Sequence, residues 1–296
     1  MKSTSRPVWS QAFLIVALAL VAWVSLSTRD AEAQTGKNAV YDSNNLCSPC
    51  QASPAFIDAS VFIGKFQSPD FCSVVNYALV NVVQSTYSYG AVVDARGLNS
   101  NNVRMTCPSS QAGPWAGITN PPSSTILLPA TTASAPIVIP STWTLPSNTH
   151  LIGEGDNISS STTISTTIQA GPSFSASTNT IEFGSSSVCP SGGCTGISVE
   201  NLTLDGQGQS INGISNALSQ DSSYVNHVRL YQILGTGLSV SGNASNSGPY
   251  SNITFDTGAN FSAAGPCVNI NGLSGTRGIR NLTCISENND ASASRG

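Results

Sequence analysis

The sequence predicts an all-β fold in which short strands stack in parallel as a solenoid, and three observations predict it. A five-residue pattern recurs at Asn201–Asp205, His227–Tyr231, Asn252–Asp256 and Asn281–Ile285, with starts 26, 25 and 29 residues apart. Weaker partners, Gly213-Ile214, Gly237-Leu238 and Cys267-Val268, fall between them. From Thr125 onward, short apolar stretches alternate with Gly-, Ser-, Asn- and Pro-rich turns, and none has helical spacing. Charged residues make up 9% of the chain, against about 25% in ordinary domains, so long amphipathic surface helices have little to be built from.

The repeat has a direct physical reading. In each unit the second and fourth residues are apolar and point inward, and the first, third and fifth point outward. One such unit cannot bury its apolar side, but stacked units share a continuous core. Leu202, Val228, Ile253 and Leu282 are expected to form one inner stack, and Leu204, Leu230, Phe255 and Cys284 the next. Asn201, Asn252 and Asn281 sit in glycosylation sequons. Stacked Asn at corners satisfies backbone groups, and that structural reading ranks ahead of glycosylation; Asn148 is a candidate for the same column.

In chain order, Lys2 and Arg6 precede the apolar run Ala12–Leu26, followed by Ala31-Glu32-Ala33. This is the pattern of a secretory signal peptide over 1–33, with an uncleaved anchor as the alternative. Residues 34–69 form an N-terminal extension whose one strand-like stretch is AFIDASVF. Asp70 is placed to cap a helix running to Gln84, with Phe71, Val75, Ala78, Leu79, Val82 and Val83 on its apolar face. AVVDARGL reads as a strand and 99–123 as loop. TILLPA, PIVIP, WTLP, THLIG, TTIQA and TIEFG then read as successive strands.

Eight cysteines follow the apolar leader, an even number that suits disulfides in an exported chain. Cys189 and Cys194 form the neck of a small loop. Cys47-x-x-Cys50 has the form of a redox or zinc motif, but no second such pair and no suitable His pair supports zinc, and structural pairing is the default. The net charge of -4 and pI near 5.0 leave no basic stripe for nucleic acid, and no membrane contact is expected once the leader is removed.

The segment ILLPATTASAPIVIPSTWTLPSNTHLIGEG, behind a helix and the strand GAVVDARG, resembles the first coils of the pectate lyase superfamily, nearest its rhamnogalacturonase- and epimerase-like branch. The resemblance runs from about Asp70 to the end. It implies a right-handed parallel β-helix over 70–296 with an N-terminal capping helix. It also implies action on an extracellular, uronic-acid-containing polysaccharide by hydrolysis or β-elimination; other members are tailspikes, surface-binding proteins or epimerases. The Asn-Thr-Asp, Asp-Asp, Gly-His-Gly and Arg-Ile-Lys motifs of polygalacturonase-type members are absent, and the only histidines are His150 and His227. No acidic cluster like that of the calcium-dependent lyases is present, so no cofactor is expected and calcium has no support. With no capping element before Gly296, further coils are expected to follow.

The candidate site comes from the outward positions. In register, Asp205 and Asp256 flank Tyr231 about 10 Å apart along the stack, near the separation of roughly 6.5–9.5 Å between the carboxyls of inverting glycosidases. Asp205, Asp256 and Tyr231 are therefore the catalytic candidates. Arg229, whose fork suits a carboxylate, and His227 are the substrate-binding candidates. Each has a structural alternative. Asp205 precedes Gly206 and Asp256 precedes Thr257-Gly258, which is turn chemistry first of all. Tyr231 and His227 fit as column fillers and Arg229 as a solvated outer residue. Glu287 and Asp290 are further acids with no visible partner. The two function classes are thus a polysaccharide hydrolase or lyase, and a non-catalytic carbohydrate-binding or surface protein. An acid pair in a groove with a nearby arginine favours the first, and flat polar faces the second.

Overall fold

The computed structural model describes residues 55–87, 90–100, 102–157, 165–189, 193–258, 265–273 and 278–285. The leader, Cys47, Cys50, Glu287 and Asp290 lie outside these residues. The strands are β1 (Ala55–Asp58), β2 (Ala91–Asp94), β3 (Ser124–Leu127), β4 (Ile137–Ile139), β5 (Trp143–Leu145), β6 (Thr149–Ile152), β7 (Thr167–Ala170), β8 (Asn179–Phe183), β9 (Ser198–Gln209), β10 (Asn212–Asn216), β11 (Tyr224–Ile233), β12 (Leu238–Val240), β13 (Tyr250–Asp256), β14 (Val268–Ile270) and β15 (Ile279–Ile285). The six segments from TILLPA to TIEFG are all strands. The sheet also starts ahead of Asp70, because β1, in the stretch assigned to the extension, pairs with β2.

All pairings between these strands are parallel. The larger sheet has ten strands and runs β1-β2-β3-β6-β9-β11-β13-β15, with β7 beside β9 and β4 beside β7; the smaller runs β14-β12-β10-β8-β5. From β9 to β15 the chain alternates between the two sheets, since parallel neighbours can be joined only by a crossover. The repeats seen in the sequence are these returns.

Register turns the repeat into columns. Leu202, Val228, Ile253 and Leu282 are aligned on adjacent strands, as are Leu204, Leu230, Phe255 and Cys284. Ile168 and Ile137 extend the second column through β7 and β4. Leu202, Leu204, Val228 and Leu230 are fully buried, while Leu282 on the last strand is 36% exposed. A third column runs Ile57, Val93, Ile126, Leu151, Val199, Val225, Tyr250 and Ile279. In the smaller sheet Trp143, Ile181, Ile214, Leu238 and Val268 align. Each buried aliphatic contributes about 1.5–3 kcal/mol, so the stack is held by its length rather than by any one contact.

The helix α1 (Phe71–Ala78) begins where Asp70 accepts the Ser73 amide at 2.9 Å and the Ser73 hydroxyl at 2.7 Å. It widens to a π-turn over Leu79–Val83 and closes with Gln84–Thr86. Its six predicted core residues are all buried, and Phe71 stacks on Trp143 at 6.3 Å. Disulfides join Cys72 to Cys107, Cys189 to Cys194 and Cys267 to Cys284. The neck of the small loop is thus closed by its two cysteines.

The corner column is real, with one correction. Asn201, His227, Asn252 and Asn281 all have left-handed backbones, φ 53, 51, 54 and 53°, a conformation asparagine tolerates because its short side chain bonds locally. Asn281 donates to Asn252 and Asn252 to Asn226, each at 2.9 Å. Asn148 is not in this column. His150 pairs with Ser198, so Asn148 falls opposite Gly196, where a Cβ would meet its Oδ1 at 2.6 Å. The reason is that Asn148 precedes its strand, whereas the other asparagines bend theirs midway.

Candidate functional site

Strand register aligns Asp205 on β9, Tyr231 on β11 and Asp256 on β13, so the two aspartates flank the tyrosine. The register continues to Gln169 on β7, which pairs with Asp205. These positions point away from the apolar columns but are not open: Asp205 is 9% and Asp256 3% exposed.

Both aspartates are turn-formers. Asp205 Oδ1 accepts the Gln207 amide and Asp256 Oδ1 the Gly258 amide, each at 2.9 Å. These are Asx turns, with the side chain bonding the backbone two residues on. Gly206 is required beside the first, because a Cβ there would lie 2.6 Å from the Gln232 carbonyl oxygen of the next strand.

The second oxygens differ. Asp205 Oδ2 accepts the Gln207 side-chain amide at 2.5 Å and the Gln169 amide at 3.4 Å. Asp256 Oδ2 is ion-paired with Arg229 Nη2. The guanidinium carbon of Arg229 lies 5.9 Å from the centre of the Tyr231 ring, within cation–π range. The Tyr231 hydroxyl accepts from Gln232 at 3.1 Å. Burial first, then the charges of Asp205 and Asp256, push the Tyr231 phenol above its usual range, so it is a neutral hydroxyl at physiological pH. His227 stands apart. It is exposed, at its left-handed corner four residues before Tyr231 on β11, and four residues of strand are about 13 Å.

A groove of about 210 Å³ opens beside Asp205, with Thr132, Thr167, Gln169, Gln207 and Tyr231 among its walls. A neighbouring hollow of about 340 Å³ shares Gln169 and Gln207 and adds Gln209. Asp256 and Arg229 line neither. Sequence reasoning missed Gln169, Gln207 and Gln209. Gln169 lies 36 residues before Asp205, outside the repeat interval, because that return of the chain is longer. The Gln207-x-Gln209 pair after Asp205-Gly206 was the available signal.

A second polar cluster was also missed. His150 Nδ1 lies 2.8 Å from Ser198 Oγ, which donates to Glu200 Oε1 at 2.8 Å, and the Tyr224 hydroxyl donates to the same oxygen at 2.9 Å. Since the serine hydrogen goes to Glu200, His150 Nδ1 must carry the hydrogen between them. Burial, and then the bond to Glu200, raise the Tyr224 pKa. Among the described residues no three His, Cys, Asp or Glu side chains gather to hold a metal ion, and no helix is long and apolar enough to cross a membrane.

Fold and site together define a mostly parallel-β protein with a polar, amide-lined groove over β7, β9 and β11 of its larger sheet. No family model, curated protein or solved structure matches the chain.

Proposed function

We propose that this is an exported right-handed parallel β-helix protein of the pectate lyase type that binds extracellular polysaccharide through the groove beside Asp205. The parallel strands that return at 25- to 29-residue intervals support the solenoid reading. The apolar leader and the three disulfides support export. The observation that carries the functional reading is the groove wall itself. It offers amides at Gln169 and Gln207, a hydroxyl at Thr132, and the Tyr231 ring. Such a set matches the alternating hydroxyls and apolar faces of a sugar. The test is affinity electrophoresis of the full chain in gels containing single polysaccharides, with Tyr231→Ala and Gln207→Ala as variants. Retardation of the parent chain that both variants weaken about tenfold or more is expected. No retardation in any gel would sink the reading.

A hydrolase or lyase is the second reading, favoured by Asp205 and Asp256 lying on one side of the sheet around Tyr231. It has less support, because Asp256 is committed to Arg229 and the Gly258 turn and lines no groove. Turnover of polygalacturonate that Asp205→Asn and Asp256→Asn each abolish would restore it.

A further inference from the structure

The groove's charge narrows the ligand class. Among the described residues Asp205 is the only charged one lining either hollow. Arg229, whose guanidinium lies 5.9 Å from the Tyr231 ring, is neutralised by Asp256 on the next strand. A uronate chain would bring one carboxylate per sugar against Asp205 with no free guanidinium to receive it. Two further cations are paired in the same way. Among the described residues the cations are Lys65, Arg96, Arg104, Arg229 and Arg280. Arg96 is held by Asp94 and Glu154, and Arg104 by Asp70. Lys65 and Arg280 line neither hollow, and the chain as a whole is negative, so little draws a polyanion to the groove.

From this we infer that the groove takes a neutral saccharide, bound through hydroxyl-to-amide hydrogen bonds and stacking on Tyr231, and discriminates against polyuronates. The inference rests on the saccharide-binding reading above and adds the substrate class. Asp205 has a positive use in such a site. Its Oδ2 accepts from both the Gln207 and Gln169 side-chain amides, which holds the two groups in place and leaves their carbonyl oxygens as the acceptors for sugar hydroxyls. An uncharged ligand leaves that arrangement undisturbed, whereas a carboxylate would compete with Asp205 for the same amide hydrogens.

The experiment uses the full chain with soluble β-glucan, β-galactan and polygalacturonate, by affinity electrophoresis and calorimetry at low and high salt. Binding to a neutral polymer at least tenfold tighter than to polygalacturonate, and insensitive to salt, is expected. Tighter binding of polygalacturonate would overturn the inference while leaving the saccharide reading in place, and binding of none of the three would overturn both. Asp256→Asn supplies an independent check. It keeps the acceptor for the Gly258 amide but frees Arg229, so affinity for polygalacturonate should rise several-fold while the neutral polymer is bound as before. No gain in a variant whose near-ultraviolet circular dichroism matches the parent would mean that Arg229 is not what withholds positive charge from the groove, and would count against the inference.

Discussion

Arg229 on β11 and Asp256 on β13 are ion-paired across one strand spacing, with 24% and 4% of their side chains exposed. The pair makes the two aspartates around Tyr231 unlike: Asp205 faces a groove and Asp256 faces a guanidinium. Removing the arginine alone leaves a buried carboxylate without compensation, which costs about 3–5 kcal/mol in fully buried pairs. Partial exposure of Arg229 lowers that, and Arg229→Met is expected to cost about 2–3 kcal/mol in urea unfolding. The double variant Arg229→Met with Asp256→Asn should recover most of the loss. A single variant within 0.5 kcal/mol of the parent, roughly the size of a neutral surface change, would show that the pair does not hold these strands.

His227 occupies, at φ 51°, the corner that asparagine fills on the neighbouring strands. A left-handed backbone costs an ordinary residue about 1–2 kcal/mol and asparagine less. His227→Asn is therefore expected to raise stability by about 0.5–1 kcal/mol and to leave saccharide binding unchanged. A lower melting temperature would show that the imidazole makes a contact worth more than the strain.

Glu182 on β8 is held above the usual carboxyl range by burial, partly offset by a bond to Thr144. A carboxyl with a raised folded pKa favours the folded state when protonated. Its penalty is absent below the unfolded pKa, about 4.3, and grows as pH rises through the folded value. Glu182→Gln should thus stabilise the protein at pH 7 and make no difference near pH 3. Asp94 works in the opposite sense. Its bond to Arg96 lowers its pKa despite opposing burial. Its contribution is present above the unfolded pKa and fades as pH falls through the folded value. An Arg96→Ala deficit should therefore be seen at pH 7 and shrink in acid. Thermal melts across this range check both signs.

The Cys72–Cys107 disulfide closes a 35-residue separation between the start of α1 and the loop that follows β2. Chain entropy assigns such a loop about 3–4 kcal/mol. Replacing both cysteines by serine should lower stability by up to that amount, and peptide mapping of the unreduced parent should recover this pair together with Cys189–Cys194 and Cys267–Cys284. Any other pairing among these six would contradict the structure.

Ser198 is fully buried between His150 and Glu200. Ser198→Ala would leave the imidazole hydrogen without its acceptor and Glu200 Oε1 with Tyr224 alone, at a cost of about 1–2 kcal/mol. Ser198→Thr, which keeps the hydroxyl, should restore most of it if the cluster is structural.

Much of the architecture could be read before any coordinates. Apolar residues at the second and fourth places of each repeat align as written, because inward and outward alternation is a property of a few adjacent residues. Asp70 was legible as a helix cap from the Asp and the apolar spacing behind it. The aspartate–tyrosine–aspartate column was legible because its members occupy the same place in successive repeats. Asn148 misled because an asparagine before a strand and one bending a strand look alike in sequence.

Parallel stacking of short strands, the choice of inward side chains and the placing of Asp205 and Asp256 around Tyr231 are all encoded in the residue order. Local alternation and a near-constant interval suffice for that. What the outward residues touch is set by the folded chain. It committed Arg229 to Asp256, set Gln169 against Asp205 and threaded Ser198 between His150 and Glu200. Those partners come from returns of the chain of unequal length, and the offset between two returns depends on how the intervening turns close, which no stretch of neighbouring residues encodes.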